Sequence, residues 1–201
     1  TGEPIKFTYA DWQPKKQPNE QLARNLGNQS YLLAKEIAEG KPYRVYLAGR
    51  PGTGKTSLAL AMVDFIRNNS NKTAMFVSTD ALAELYAMRF DDKQAQNRLY
   101  ELKGDKRLKI EPVDVLILDD FGTEGGMRTD KQSQVRVDMQ KGLFAVADAR
   151  YGNQATIVTT NNTMAELEAM YNEKLLSRLI TRNQKRRLVF NGMTDVRASM
   201  I

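Results

Sequence analysis

The sequence contains no cysteine and no histidine. Without cysteine there are no disulfides and no thiolate chemistry, and without histidine there is no imidazole to act as a general base. The usual zinc sites, which are built from these two residue types, are excluded as well. Any metal ion must therefore be held by oxygen ligands.

Long apolar runs and a secretory leader are also missing. No stretch is long enough to span a bilayer, and no charged segment followed by apolar and then small residues opens the chain. We therefore expect a cytoplasmic protein with no membrane partner. Of the 201 residues, 41% are hydrophobic and 27% are charged, which is typical of a single soluble domain. A first residue of Thr1 is also consistent with a fragment of a longer protein.

Short apolar runs alternate with segments of helical periodicity along most of the chain. Residues 1–20 form an irregular lead-in, and leucines and an isoleucine then recur at helical spacing from Leu22 to Ile37. The predicted strands lie at 43–49, 73–79, 113–120, 154–162 and 186–192. Two helices are predicted over 80–109, with a break near Asp91 and Asp92. Strands that alternate with helices predict an α/β fold with a parallel sheet and right-handed crossovers.

A glycine-rich loop, "GRPGTGKTS", connects the first strand to the following helix. It matches G-x-x-x-x-G-K-[ST] completely, and this strand-loop-helix context is the one that a phosphate-binding loop requires. Backbone N–H groups and the helix N-terminus would bind phosphate oxygens. Lys55 would reach the β and γ phosphates of ATP. Hydrolysis of ATP would leave ADP in the site. The predicted nucleotide-binding residues are Gly49, Arg50, Pro51, Gly52, Thr53, Gly54, Lys55, Thr56 and Ser57.

Two acidic residues end the third predicted strand. Asp119 would emerge beside the loop and, together with the Thr56 hydroxyl, hold Mg²⁺. Asp120 occupies the position at which many ATPases with this type of phosphate loop have a glutamate that orients the attacking water. Because aspartate is one methylene shorter, we expect slow turnover. In the absence of the glycine loop, the pair would be interpreted as capping or solvated acids.

Taken as a whole, residues 7 to 197 resemble the ATPase domain of DnaC- and DnaI-type replicative helicase loaders, and are similar to the related IstB transposition ATPases. The segments that carry the resemblance are "GRPGTGKTSLALAM", "VLILDDFGTE", "ARYGNQATIVTTNN", "KLLSRL" and "VFNGMTDVR". Within the third of these, the pair Arg150 and Tyr151 is more discriminating than the widely shared glycine loop.

The resemblance implies an AAA+ fold, a three-layer sandwich with a five-stranded parallel sheet in the order 5-1-4-3-2. Residues 21–201 would form this ATPase domain, with the helical insertion at about 80–109 and a lid that is absent or minimal. Arg197 is the late candidate for the second sensor arginine of such lids. Family loaders also have an N-terminal helicase-gripping region, which residues 1–20 do not match.

Two further site residues follow from the resemblance. Asn161 stands where AAA+ proteins place a polar sensor for the γ phosphate or its water. Arg178 lies in the segment that supplies an arginine finger to the ATP of a neighbouring subunit. Taken singly, Asn161 could equally be a turn residue and Arg178 a surface arginine. Together with Asp120 they form the predicted catalytic set, with self-association through the ATP site and Arg178 acting in trans.

The resemblance also implies binding to single-stranded DNA and to a hexameric replicative helicase. The net charge of +6 fits a polyanionic partner. Two basic groups are candidate DNA contacts, although an ordinary solvated surface has the same composition. They are Lys103, Lys106, Arg107 and Lys109, followed by Arg182, Lys185, Arg186 and Arg187.

Three alternative functions share the phosphate loop. An IstB-like transposition helper would use the same ATPase core on duplex DNA. A small-molecule kinase would need an acceptor pocket and an arginine-rich lid, and the sequence shows no such lid. An ATP-binding DNA scaffold with little hydrolysis is consistent with the short side chain of Asp120.

Overall fold

The computed structural model describes residues 6–123, 135 and 137–196. The helices are α1 (Glu20–Ala38), α2 (Lys55–Asn68), α3 (Thr79–Met88), α4 (Lys93–Lys103), α5 (Val137–Arg150), α6 (Met164–Met170) and α7 (Glu173–Leu179). The strands are β1 (Arg44–Ala48), β2 (Ala74–Ser78), β3 (Val115–Asp119), β4 (Ala155–Thr160) and β5 (Arg187–Val189). Short 3₁₀ turns lie at Pro14–Lys16 and Gln184–Arg186.

The five strands form one parallel sheet in the order β2-β3-β4-β1-β5. Read from the other edge, this is the order 5-1-4-3-2, so that prediction is confirmed. The two central strands β3 and β4 are buried along their whole length. The apolar run 115–118 of β3 suits a parallel strand that is covered on both faces.

Each strand is shorter than predicted. The third strand, for example, ends at Asp119 instead of residue 120. Asp120 has a φ of 53°, which lies in the left-handed region and turns the chain out of the sheet. The fifth strand has three residues, which pair with the last three residues of β1 at the edge of the sheet.

Helices cover both faces of the sheet and form two hydrophobic cores. Along β1, Val45 and Leu47 face α1 and α2, whereas Tyr46 faces the layer that contains α3 to α7. Successive side chains of a strand point to opposite faces, so one short strand contributes to both cores. The result is a three-layer α/β/α sandwich.

The break in the helical insertion has a local cause. Asp92 accepts hydrogen bonds from the backbone N–H groups of Gln94 and Ala95, which makes it the N-cap of α4. The preceding helix α3 ends at Met88. The structure therefore has the break at the predicted position, near Asp91 and Asp92.

The parallel sheet has two chemically different edges. We call the edge at which the strands end the carboxyl edge, and it carries Lys55, Asp119 and Asn161. We call the edge at which the strands begin the amino edge, and it carries Arg44 at the start of β1 and the turn that precedes β4. These two edges organise the candidate site.

Candidate nucleotide site and arginine cluster

The phosphate loop takes a conformation that needs glycine. Gly52 and Gly54 have φ values of 74° and 96°, in the left-handed region that other residues rarely adopt. Gly54 directly precedes the first residue of α2. The helix therefore presents its positive N-terminus at the loop, as an anion-binding site requires.

Lys55 is buried and joins the loop to the end of β4. Its ammonium group donates to the carbonyl oxygen of Arg50 at 2.8 Å and to Oδ1 of Asn161 at 2.7 Å. The structure thus brings the predicted lysine and the predicted polar sensor into direct contact. A bound phosphate would lie within reach of both side chains.

Thr56 and Asp119 form the candidate metal site. The Thr56 hydroxyl donates to Oδ1 of Asp119 at 2.9 Å. Oδ1 also accepts from the Thr159 hydroxyl at 2.6 Å, which fixes the carboxylate beside the loop. Hydroxyl and carboxylate oxygens are ligands that Mg²⁺ prefers, and Mg²⁺ usually takes only one or two of them from the protein, with phosphate oxygens and waters completing the shell. The donor set therefore fits Mg²⁺.

The Asp119 carboxyl is in an unfavourable place for a negative charge. Burial raises its pKa, and the neighbouring Asp120 raises it further, against the hydrogen bonds from Thr159 and Thr56 and the charge of Lys55. A cation at this point would compensate the buried charge. The electrostatics of Asp119 therefore agree with a metal-binding role.

Asp120 and Asn161 face each other beside this metal site. The amide nitrogen of Asn161 lies 3.3 Å from Oδ1 of Asp120. Thr159 holds the Asp120 backbone, because its hydroxyl accepts from that N–H at 3.0 Å. Sequence reasoning missed Thr159. The available signal was the position of Thr159 in β4, one residue before the polar end of that strand.

Segments from both ends of the described chain close over the loop. The Gln17 side chain exchanges two hydrogen bonds with the backbone of Thr194, at 2.8 and 3.0 Å. Val196 N–H donates to the Gly52 carbonyl oxygen at 3.1 Å, and the Asp195 carboxylate packs against Gly52. The remaining cavity of about 210 Å³ is lined by the loop, Asp120, Asn161 and Val196. These contacts join distant parts of the chain, and no sequence pattern predicts them.

Trp12 is a further neighbour of the loop that the sequence did not indicate. A Cβ atom placed on Gly54 would lie 2.8 Å from its indole ring, and its ring nitrogen donates to the carbonyl oxygen of Ala23. Trp12 of the lead-in thus packs against the phosphate loop. Trp12 is the single tryptophan of the chain.

Arg178, the third predicted catalytic residue, is not at this site. Its Nε donates to Asp148 at 2.8 Å, and its guanidinium stacks on the ring of Tyr151 with 4.7 Å to the centroid. Tyr151 lies before the start of β4, whereas Asn161 follows its end. At roughly 3.3 Å per residue, the two ends of β4 are about 16 Å apart. Arg178 therefore lies at the amino edge, away from the phosphate loop of its own chain.

Two further arginines, Arg44 and Arg150, lie at the amino edge and form an arginine cluster with Arg178. They differ in their contacts. Arg44 stacks on the Tyr151 ring and donates to the carbonyl oxygens of Ser177 and Arg178. Its pKa is lowered mainly by burial, with smaller contributions in the same direction from Arg186 and Arg178. Arg150 is fully buried, which lowers its pKa to about 10. It donates to the backbone carbonyl oxygens of Leu102, Val113, Asp114 and Ala155 and to the Thr156 hydroxyl. The "RY" pair thus combines an internal structural arginine with an exposed ring.

The two predicted DNA-contact groups both lie at the amino edge. Lys103 ends α4, and Lys106, Arg107 and Lys109 are exposed in the turn before β3. Arg182 and Lys185 are exposed before β5. Two of the predicted residues are half-buried against tyrosines, since Arg186 stacks on Tyr43 at 3.5 Å and Arg187 on Tyr46 at 5.2 Å.

Comparison with known families agrees with this geometry. Residues 33–188 match the IstB-like ATP binding protein family of IS21. This match covers well over half of the chain. The chain belongs to this family. The sheet order is that of the AAA+ P-loop α/β fold, and the phosphate loop agrees with an ATP-binding family.

Among individual proteins, the uncharacterized protein YdaV of Escherichia coli (strain K12) is 26% identical over 166 residues. The alignment covers 82% of this chain and 59% of that relative. The fold is similar to the DnaC helicase loader, with a TM-score of 0.62, 21% identity and coverage of 82% and 89% of the two chains. It is also similar to the replication initiator DnaA bound to AMPPCP and single-stranded DNA, with a TM-score of 0.56, 19% identity and coverage of 80% and 44%.

Two features are absent from the part of the chain that the structure describes. In residues 6–123, 135 and 137–196, no helix is long and apolar enough to cross a membrane. The same residues contain no cluster of three or more acidic side chains that could hold a metal ion. The pair Thr56 and Asp119 is a smaller set that needs phosphate or water oxygens to complete it. Arg197 lies outside the described residues.

Proposed function

We propose that this chain is the ATPase core of a replicative helicase loader, which hydrolyses ATP only when copies assemble and which acts on single-stranded DNA. The observation that carries the proposal is the separation of two half-sites. Loop, metal pair and sensor lie at the carboxyl edge, and Arg178 is held at the amino edge. A complete site would form between two copies.

The carboxyl edge supplies the binding half of this reaction. Residues 49–57 would bind the phosphates through backbone N–H groups, and Lys55 would add its charge. Thr56 and Asp119 would hold Mg²⁺, which when bound neutralises charge on the phosphate oxygens. Asp120 and Asn161 lie at the cavity wall, where they would orient a water for attack.

The amino edge supplies the other half in trans. A guanidinium that approaches from a neighbouring copy would stabilise the charge that develops on the transferring phosphoryl group. Because Arg178 is on the opposite edge from its own loop, the contact would be head-to-tail. Contacts of this kind generate rings or helical filaments. ATP would favour such an assembly, and hydrolysis would release it.

The two basic groups support a DNA path along the amino edge. Both lie at the same side of the sheet, and Lys106, Arg107 and Lys109 are exposed. Lys185 and Arg186 line a groove of about 940 Å³ together with the amides of Asn25, Asn28, Gln29 and Asn183 and the acids Glu36 and Glu39. Lysine and arginine neutralise phosphates without reading the bases, so the contact would track the backbone.

The assignment to a helicase, as the cargo of this ATPase, draws on the likeness to the DnaC helicase loader. The test is capture from the native host with the chain as bait, in ATP and in ADP. We expect the replicative helicase to be retained in one nucleotide state and lost with Lys55→Ala. Helicase binding that is equal in ATP, in ADP and with Lys55→Ala would contradict a nucleotide-controlled loader.

A transposition helper is the second candidate, because the matching family is the IstB-like one. The DNA form separates the two functions. A loader would bind single-stranded DNA more tightly than duplex of equal length, and a helper would prefer duplex and retain a transposase in the same capture. Fluorescence anisotropy with the two DNA forms at one salt concentration would distinguish them.

A further inference from the structure

We propose that Asp148 and Tyr151 are positioning residues for Arg178, which hold its guanidinium so that the two terminal amino groups face a neighbouring copy. The inference rests on the proposed function, in which Arg178 acts in trans. It adds residues that no motif marked for this purpose. Asp148 lies in the last turn of α5, Tyr151 follows that helix in the turn before β4, and Arg178 lies on α7.

The contacts use only part of the Arg178 side chain. Asp148 accepts from Nε, and the Tyr151 ring takes the guanidinium face. In the part of the chain that the structure describes, no hydrogen bond is made by either terminal amino group. Phosphate is bound through the donors of the guanidinium fork, and the terminal pair is the part that reaches farthest. The arrangement thus restrains Arg178 and leaves its outer donors for an anion.

Arg44 restrains both the helix that carries Arg178 and the ring on which Arg178 stacks. It donates to the carbonyl oxygens of Ser177 and Arg178, which fixes the last turn of α7. The same guanidinium stacks on the Tyr151 ring at 4.6 Å. The Arg44 side chain therefore contacts both the backbone of α7 and the Tyr151 ring. These contacts fix the backbone position from which the Arg178 side chain extends.

Restraint matters because an arginine side chain has many rotamers. Arg178 is half-buried with its side chain 36% exposed, and Asp148 is 50% exposed. An ion pair at such exposure adds little to stability, so its main effect would be geometric. A guanidinium held near its working position loses less freedom when the transition state forms, which lowers the barrier to hydrolysis and leaves ground-state ATP binding unchanged.

The experiment measures ATP hydrolysis at a protein concentration at which the wild type is assembled. Asp148→Asn and Tyr151→Leu should each lower kcat by about tenfold, with the KM for ATP within about twofold of wild type, because the lost interaction acts in the transition state. Tyr151→Phe retains the ring and should recover most of the kcat lost in Tyr151→Leu. Asp91→Asn, an exposed acid in the α3–α4 turn, is the matched control.

A double variant separates positioning from an independent effect. If Asp148 acts through Arg178, adding Asp148→Asn to Arg178→Ala should cause no further loss of kcat. Thermal unfolding of each variant checks that the fold is retained.

The outcomes distinguish the inference from the function it rests on. Wild-type kcat in Arg178→Ala would overturn the proposed function itself. A reduced kcat in Arg178→Ala together with wild-type kcat in Asp148→Asn and Tyr151→Leu would overturn only the positioning role. A raised kcat in Asp148→Asn would also overturn it, since Asp148 would then be restraining Arg178 from its target.

Discussion

The two edges of the sheet carry different sets of polar side chains. At the carboxyl edge, a lysine, a threonine, two aspartates and an asparagine lie in hydrogen-bonding contact around a small cavity. At the amino edge, arginines pack on tyrosine rings, and the pKa of Arg44 is lowered by burial and, to a smaller extent, by the nearby charges of Arg186 and Arg178. The first edge suits a metal-bound polyphosphate. The second suits an anion brought by another molecule.

This difference explains why assembly would control the reaction. Under the proposed function, a single copy would have both halves of the site, but the sheet would keep them apart. Two copies arranged head-to-tail would bring them together. Slow hydrolysis in isolation would then follow from geometry, in addition to the short side chain of Asp120.

The largest expected effect is on stability at the amino edge. Arg150→Leu would leave buried carbonyl oxygens of Leu102, Val113 and Ala155 without their donor. We expect a loss of about 3–5 kcal/mol of unfolding free energy, measured by urea denaturation. Arg178→Ala, at the same edge but half-exposed, should lose less than about 1 kcal/mol. Equal losses in the two variants would remove the distinction between an internal arginine and a presented one.

Nucleotide affinity should depend on the carboxyl edge alone. Lys55→Ala removes the charge that faces the phosphates, and we expect affinity for ATP to fall by at least about 100-fold. Arg178→Ala should change it by less than about threefold, because Arg178 is at the opposite edge. The fluorescence of Trp12, packed against Gly54, gives a direct binding signal in both variants. A large loss of affinity in Arg178→Ala at low protein concentration would contradict the separation of the half-sites.

DNA binding should depend on the amino edge. Replacing both Lys106 and Arg107 by alanine should make the salt dependence of single-stranded DNA binding shallower, by about 1.4 in the log–log slope for two lost phosphate contacts. Lys15 and Lys16, exposed in the lead-in, provide a control with the same change of charge. Anisotropy titrations at several salt concentrations measure the slopes. Equal changes in both double variants would indicate that net charge, and not this edge, determines binding.

The smallest effect concerns the buried metal-site carboxyl. Because the pKa of Asp119 is raised in the folded protein, its ionisation at neutral pH disfavours the folded state. Asp119→Asn should therefore raise Tm at pH 7, by less than the other variants change their readouts. The gain should vanish at a pH below the pKa of an unfolded aspartate, where the wild type is protonated as well. A lower Tm in Asp119→Asn at pH 7 would contradict the assigned electrostatics.

How much of this was predictable from sequence differs between the edges. Lys55, Thr56 and Asp119 stand in local patterns, a glycine loop and a strand end, and parallel strands bring such ends together. The sheet order followed from a family resemblance. The pairing of Arg178 with Asp148 could not be predicted, because it joins residues of different helices through packing. The same holds for Arg150, whose burial is invisible in the "RY" pair, and for Gln17 with Thr194, which are in contact only after folding.

ATP hydrolysis by an equimolar mixture of Asp119→Asn and Arg178→Ala chains would show whether two copies share one site. Each variant alone should be inactive, the first for lack of a metal site and the second for lack of the guanidinium. In the mixture, an Arg178→Ala loop can meet the intact Arg178 of an Asp119→Asn neighbour, so about a quarter of the interfaces should be complete and the rate should recover to about a quarter of wild type. A mixture as inactive as its components, with assembly confirmed by sedimentation, would contradict a site shared between copies.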